Sequence, residues 1–143
     1  MLELKDVSVV FNEGTVNEKV ALNNINLALD KGDFVTIIGS NGAGKSTLFQ
    51  AISGAVDTKR GNIILNGRDI TFEPEYKRSK GIGRLFQDPL KGTAPNMTIE
   101  ENLHLSNQRG KHFSLSLMSH RHREEFKKAL MELELGLEER LDS

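Results

Sequence analysis

The sequence predicts an α/β fold, and three observations carry that prediction. Apolar and polar residues interleave over 2–11 and again over 20–29, the pattern of half-buried strands. A short β-branched run, 34–38, enters a glycine-rich loop that leads straight into a helical pattern. Beyond residue 97 the composition turns from β-rich to helical, which divides the chain into two lobes, 1–97 and 98–143.

Each element follows in order. Leu2, Leu4, Val7, Val9, Val10 and Phe11 mark the first strand, and the polar stretch 12–19 is a loop. The strand 20–29, with Leu22, Ile25, Leu27 and Leu29, is expected to pair antiparallel with it. Asp30-Lys31-Gly32-Asp33 is a turn. Phe34-Val35-Thr36-Ile37-Ile38 is apolar on both faces, which suits a buried central strand with neighbours on either side. Residues 46–53 form a helix, closed by Gly54. Residues 62–65 form a strand, and Asn66-Gly67 after it is a tight-turn signal. Residues 73–79 are expected as a short helix with Pro74 in its first turn. Residues 82–86 read as another buried strand and 88–96 as a loop. Thr98-Ile99-Glu100-Glu101 is a capping box that opens a helix toward Gln108. Phe126, Leu130, Leu133 and Leu137 fall at helical spacing and predict an amphipathic helix.

Composition excludes several classes. Apolar content of 37% with thirteen Gly is in the ordinary globular range, which excludes intrinsic disorder. No apolar run approaches the roughly 20 residues that a membrane-spanning helix needs. The first residues do not form a secretory signal. Zero Cys excludes disulfides, thiolate metal sites and a Cys nucleophile. A net charge of −1 argues against general nucleic-acid binding.

The loop carries the chemistry. Gly39-Ser40-Asn41-Gly42-Ala43-Gly44-Lys45-Ser46-Thr47 has the spacing of a phosphate-binding loop. Phosphate oxygens need several donors converging on one point. Successive backbone N–H groups supply them only where no Cβ blocks the approach, hence Gly39, Gly42 and Gly44. The helix that follows points its positive end at the same anion. Lys45 adds a mobile cation for the β- and γ-phosphates, and the Ser46 hydroxyl is a hard oxygen ligand for Mg²⁺.

The form Gly-x-Asn-Gly-Ala-Gly-Lys-Ser-Thr-Leu resembles the Walker A motif of ATP-binding cassette (ABC) ATPases. Gly83-Arg84-Leu85-Phe86-Gln87-Asp88-Pro89 resembles the family's Q-loop, and 97–103 the segment leading into its helical subdomain. The resemblance implies a P-loop NTPase, RecA-like core with an N-terminal antiparallel β subdomain and the start of a helical subdomain at 98–143. It implies MgATP held by Gly39 through Thr47. Lys45 and Gln87 would serve catalysis, and Ser46 and Gln87 would serve the metal. Phe11 would sit where an aromatic ring stacks on adenine; strand core is the equally open alternative for it. The implied partners are a second nucleotide-binding subunit, in a homodimer or pseudo-dimer, and an integral membrane permease facing the loop after Gln87. That places the protein in the cytoplasm, peripheral to the inner face of the membrane. The run 92–98 looks most like ATPase subunits of importers, with amino acids as the implied cargo.

Other family parts have no counterpart in the sequence: the Walker B strand with its catalytic Glu, the Leu-Ser-Gly-Gly-Gln signature and the switch His. The expectation is therefore the N-terminal part of a subunit of roughly two hundred or more residues. It would bind ATP without hydrolysing it, and it would carry an unpaired apolar edge at 34–38. Two alternatives are a soluble ABC ATPase of DNA repair or translation, and a P-loop kinase or GTPase. The second lacks an Asn-Lys-x-Asp base reader. His104, His112, His120 and His122 read as part of a solvated basic stretch rather than a metal site. Glu124-Glu125 and Glu138-Glu139 read as the water-facing side of a helix.

Overall fold

The computed structural model describes residues 1–108 and 120–143; His112 lies outside them. The chain forms two compact units, Met1–Ile82 and Gly83–Ser143.

In the first unit the alternating patterns become β1 (Leu2–Phe11) and β2 (Lys19–Leu29). They pair antiparallel, with Leu4 opposite Leu27 and Phe11 opposite Lys19. β3 (Arg60–Leu65) pairs antiparallel with the other edge of β1, placing Ile63 opposite Leu4. Asn66 and Gly67 turn the chain into β4 (Arg68–Asp69) with φ of +51° and +79°, the pair of positive values a tight two-residue hairpin requires. The sheet order is β2-β1-β3-β4. Leu4, Val7, Val9, Leu22 and Ile63 are buried, and Leu48 and Ala51 of α1 (Lys45–Ser53) join them in one core.

Two expected strands do not form. Residues 34–38 make no ladder; Phe34 is 94% and Ile38 89% exposed, while Ile37 alone of the run packs on the core. A strand that is apolar on both faces needs a partner on each side, and among the described residues none pairs with it. Residues 82–86 likewise join no sheet, and Leu85 is 98% exposed. The expected helix at 73–79 is shorter, α2 (Glu75–Arg78), and Pro74 stands at its cap rather than inside its first turn.

Arg78 holds this unit together in a way the sequence does not announce. It is 3% exposed, and its guanidinium donates to four carbonyls: Glu73 at 2.7 Å, Thr71 at 2.7 Å, Ala51 at 2.7 Å and Ile52 at 3.0 Å. The last two lie in the final turn of α1, where carbonyls have no partner within the helix and a cation is favoured. Burial pushes the guanidinium below its usual range, opposed by the charges of Glu73, Asp57 and Asp69. Arg78→Ala is expected to cost about 3 kcal/mol, because it strands buried carbonyls. Urea unfolding measures it, and Arg78→Lys should restore less than half, since one ammonium cannot span the same carbonyls.

Thr71, also buried, receives the Ile63 N–H at 2.8 Å on its hydroxyl and donates its own proton to Asp69. The Thr71 hydroxyl, then its backbone N–H, and Asn62 hold the Asp69 carboxyl below the ordinary aspartate value. A depressed pKa stabilises the fold above the unfolded value, about 3.9, and that contribution disappears as pH falls through the folded value. An acid titration of stability should show this loss below about pH 4. Thr71→Val should shrink that acid-dependent component.

In the second unit, a single 3₁₀ turn (Pro89–Lys91) precedes α3 (Ile99–Asn107); α4 (His120–Met131) and a second 3₁₀ turn (Leu137–Glu139) follow. The capping box forms in full: Thr98 Oγ1 accepts from the Glu101 N–H, and the Glu101 carboxylate accepts from the Thr98 N–H. Phe126 and Leu130 are buried with Leu141, and Ile99, Leu103 and Leu137 pack on them. Leu133 is exposed, because α4 stops at Met131 and the chain turns away through positive φ at Glu134 and Gly136. Arg123 bonds the buried Glu100 at 2.6 Å and both Asp142 carboxylate oxygens at 3.0 and 2.7 Å. That pairing lowers the Asp142 pKa. Asn102 binds the 94–98 loop four times: its Nδ2 donates to the Ala94, Met97 and Thr98 carbonyls, and its Oδ1 accepts from the Ala94 N–H.

Candidate phosphate-binding site

The glycine-rich loop lies in the first unit and runs directly into α1. Gly42 and Gly44 have φ of +84° and +88°, a region that side chains disfavour. Gly44 is also the helix cap, and a Cβ there would lie 2.6 Å from the Ala21 carbonyl oxygen and 3.1 Å from Leu22 Cδ2. Space around Gly42 is open. Its requirement is conformational, whereas that of Gly44 is also steric.

The first backbone bond into the helix runs from the Leu48 N–H to the Gly44 carbonyl at 2.8 Å. The N–H groups of Lys45, Ser46 and Thr47 precede it in the first turn, and no side chain caps them. Such groups, at the positive end of a helix, suit an anion. Asn41 and Ala43 are exposed on the same loop, and the Ala43 N–H closes a turn onto the Ser40 carbonyl at 3.2 Å. The Lys45 ammonium donates to the Gly39 and Ser40 carbonyls, each at 2.7 Å. It thus folds over the loop and holds the curve that starts at Gly39. The Ser46 hydroxyl is exposed at the helix start, and Thr47 is half-buried beside it.

The other expected residues lie apart from this loop in the chain. Phe11 ends β1, half-buried, and packs against the core around Leu4 and Val9. Gln87 belongs to the second unit, exposed on a bend after 82–86. Before it, the Arg84 guanidinium sits 4.5 Å over the Phe86 ring. Among the described residues no three His, Asp or Glu side chains gather as metal ligands, and no helix is long and apolar enough to cross a membrane.

The family model described as ABC transporter matches residues 22–142. The chain belongs to the ABC transporter family. A tyrosine transport ATP-binding protein of Clostridioides difficile is 43% identical over 115 residues, which are 80% of this chain and 46% of that protein. The phosphonates import ATP-binding protein PhnC of Lactobacillus gasseri is 46% identical over 92 residues, 61% of this chain and 33% of that protein. Among solved structures, the ATP-binding cassette MJ0796 in a dimeric post-hydrolysis state bound to ADP and Pi aligns with a TM-score of 0.79 and 25% identity. That alignment covers 99% of this chain and 60% of MJ0796. The ATP-binding cassette MJ1267 aligns with a TM-score of 0.76 and 27% identity, over 99% of this chain and 56% of that one. The chain therefore spans about half the length of the ABC relatives it matches. Its fold is that of a P-loop NTPase cassette, and it includes the antiparallel sheet β2-β1-β3-β4.

Gly44→Ala should destabilise the first unit by about 1–3 kcal/mol, since it adds strain at positive φ and a contact with the Ala21 carbonyl. Gly42→Ala, which meets only the conformational penalty, should cost less. Thermal unfolding of both variants compares the two terms.

Proposed function

We propose that this chain binds MgATP through the loop 39–47 and supplies the nucleotide-binding part of an ABC import ATPase. The observation that carries the reading is the helix cap at Gly44, where a side-chain-free residue at positive φ leaves the first-turn N–H groups of α1 uncapped. The N–H groups of Gly42 through Thr47 would surround the β- and γ-phosphate oxygens. The Lys45 ammonium would exchange its two carbonyl acceptors for phosphate oxygens, an ammonium keeping its charge in either place. Ser46 and Gln87 offer a hydroxyl and an amide oxygen, the hard donors Mg²⁺ prefers. When bound, that ion would neutralise charge on the phosphates and so favour phosphoryl transfer. Phe11 would place a π-face against adenine from the end of β1.

Residues 1–97 form the nucleotide-binding core in this reading, and 98–143 begin the helical subdomain. The permease would meet the loop after Gln87. A groove of about 460 Å³ beyond it, lined by Thr93, Pro95, Met97, Leu103 and Ser106, supports that placement. Asn102 shapes the groove by its bonds to 94–98. With a permease at this face, the protein would lie in the cytoplasm against the membrane and pair with a second nucleotide-binding subunit. Identity to a tyrosine transport ATP-binding protein supports an amino-acid cargo, selected by the permease.

Calorimetry with ATP and Mg²⁺ tests the reading. One nucleotide should bind per chain, with ATP favoured over GTP, and Lys45→Ala should weaken binding at least about tenfold. The chain by itself should show no steady-state ATP hydrolysis that depends on Lys45. Equal affinity of wild type and Lys45→Ala would remove the loop from the site.

A further inference from the structure

The sequence holds two Asn-Gly pairs, Asn41-Gly42 in the phosphate-binding loop and Asn66-Gly67 in the β3–β4 hairpin. Asparagine before glycine is chemically vulnerable, because no Cβ on the following residue shields its backbone nitrogen from the asparagine side chain. The fold treats the two pairs differently. Asn66 is held at two points: its Oδ1 accepts from the Met1 ammonium at 3.1 Å, and its N–H donates to the Met1 carbonyl at 2.9 Å. Its flanking residues Leu65 and Arg68 pair across the hairpin. Asn41 and Gly42 instead lie exposed at the tip of the turn that the Ala43 N–H closes on the Ser40 carbonyl. Among the described residues no hydrogen bond engages the Asn41 amide or the Gly42 N–H, and nothing comes within 4 Å of the place a Gly42 Cβ would take.

We propose that Asn41 is a site of spontaneous deamidation, open in the nucleotide-free chain and protected by bound nucleotide. Solvent base takes the Gly42 N–H proton, and the nitrogen attacks Cγ of Asn41. The bond from Cγ to Nδ2 breaks, and ammonia leaves with a proton taken from water, giving a cyclic imide. Water then adds to either imide carbonyl and opens the ring, to aspartate or to isoaspartate with the main chain rerouted through Cγ. The step is hydrolytic throughout and needs no oxidant or cofactor. The loop's electrostatics favour it. The Lys45 ammonium sits at the Gly39 and Ser40 carbonyls, and the first-turn N–H groups of α1 are uncapped. The positive potential that suits a phosphate also suits the anionic nitrogen and the oxyanion of the tetrahedral intermediate. Either product leaves a carboxylate on the loop, where it repels phosphate. The protection rests on the nucleotide reading above: a phosphate oxygen that accepts the Gly42 N–H keeps that proton in place.

The test incubates the full chain without nucleotide at mildly alkaline pH. Trypsin then releases 32–45 and 61–68, which carry Asn41 and Asn66 on separate peptides. Fragment mass spectra follow the gain of about one mass unit as NH₂ is replaced by OH. Asn41 should convert at least about fivefold faster than Asn66, and both should convert at similar rates in urea, where the fold no longer restrains Asn66. Equal rates in the folded chain, or a faster Asn66, overturn the proposal. ATP with Mg²⁺ should slow conversion at Asn41 at least about fivefold in the wild type and not in Lys45→Ala. Calorimetry on the fresh chain separates the two readings. If ATP binds and Asn41 converts no more slowly, the protection is overturned. If no ATP binds and Asn41 still converts first, the nucleotide reading falls and the deamidation site stands.

Discussion

The contact between Gly44 and the Ala21 carbonyl is the constraint on which the first unit's geometry rests. With a hydrogen at Cα, the start of α1 can press against β2; with any side chain it must move away. That approach brings Leu48 and Ala51 into the same apolar cluster as Leu4, Val9 and Leu22. One missing methyl thus serves packing and anion recognition together. The sheet positions the helix, and the helix presents its uncapped N–H groups at the rim of the loop. Lys45 completes the arrangement by bridging the carbonyls at the loop's entry.

Features written in short stretches of sequence were legible. The alternation in β1 and β2, the Asn66-Gly67 turn, the helix between the glycine loop and Gly54, and the capping box at Thr98 all form where the residues predict them. Each depends on residues within a few positions of one another. The stretches 34–38 and 82–86 show the limit of that reading. Apolar, β-branched residues state a preference for burial between strands, but a ladder also needs a second backbone at hydrogen-bonding distance. The same preference, unmet, leaves Phe34 and Leu85 exposed. In sequence, the glycines of the loop signal only that a Cβ is kept out of the way; the positive φ that this permits appears at Gly42 and Gly44 and not at Gly39.

What sequence could not reveal is polar and long-range. Arg78 looks like one of many surface cations in a charged stretch, yet it is buried against carbonyls of α1 far along the chain. Glu100 looks like a first-turn helix acid and is also a buried partner of Arg123. The rings of His104 and His122 stand 5.7 Å apart across two helices, so comparing neighbouring histidines on one helix could not find that contact. In each case the decisive partner is set by tertiary packing, for which local periodicity has no signature.

The start of α3 carries a further consequence. Its Ile99 and Glu100 N–H groups donate to the Ser143 and Leu141 carbonyls, each at 3.0 Å. These acceptors belong to the main chain, so the seal is indifferent to which amino acids occupy positions 141 and 143. It is sensitive instead to chain length between α4 and that strap. The Leu141 side chain is constrained separately, by its burial with Phe126 and Leu130, while losing or gaining a single residue would shift both oxygens out of line together.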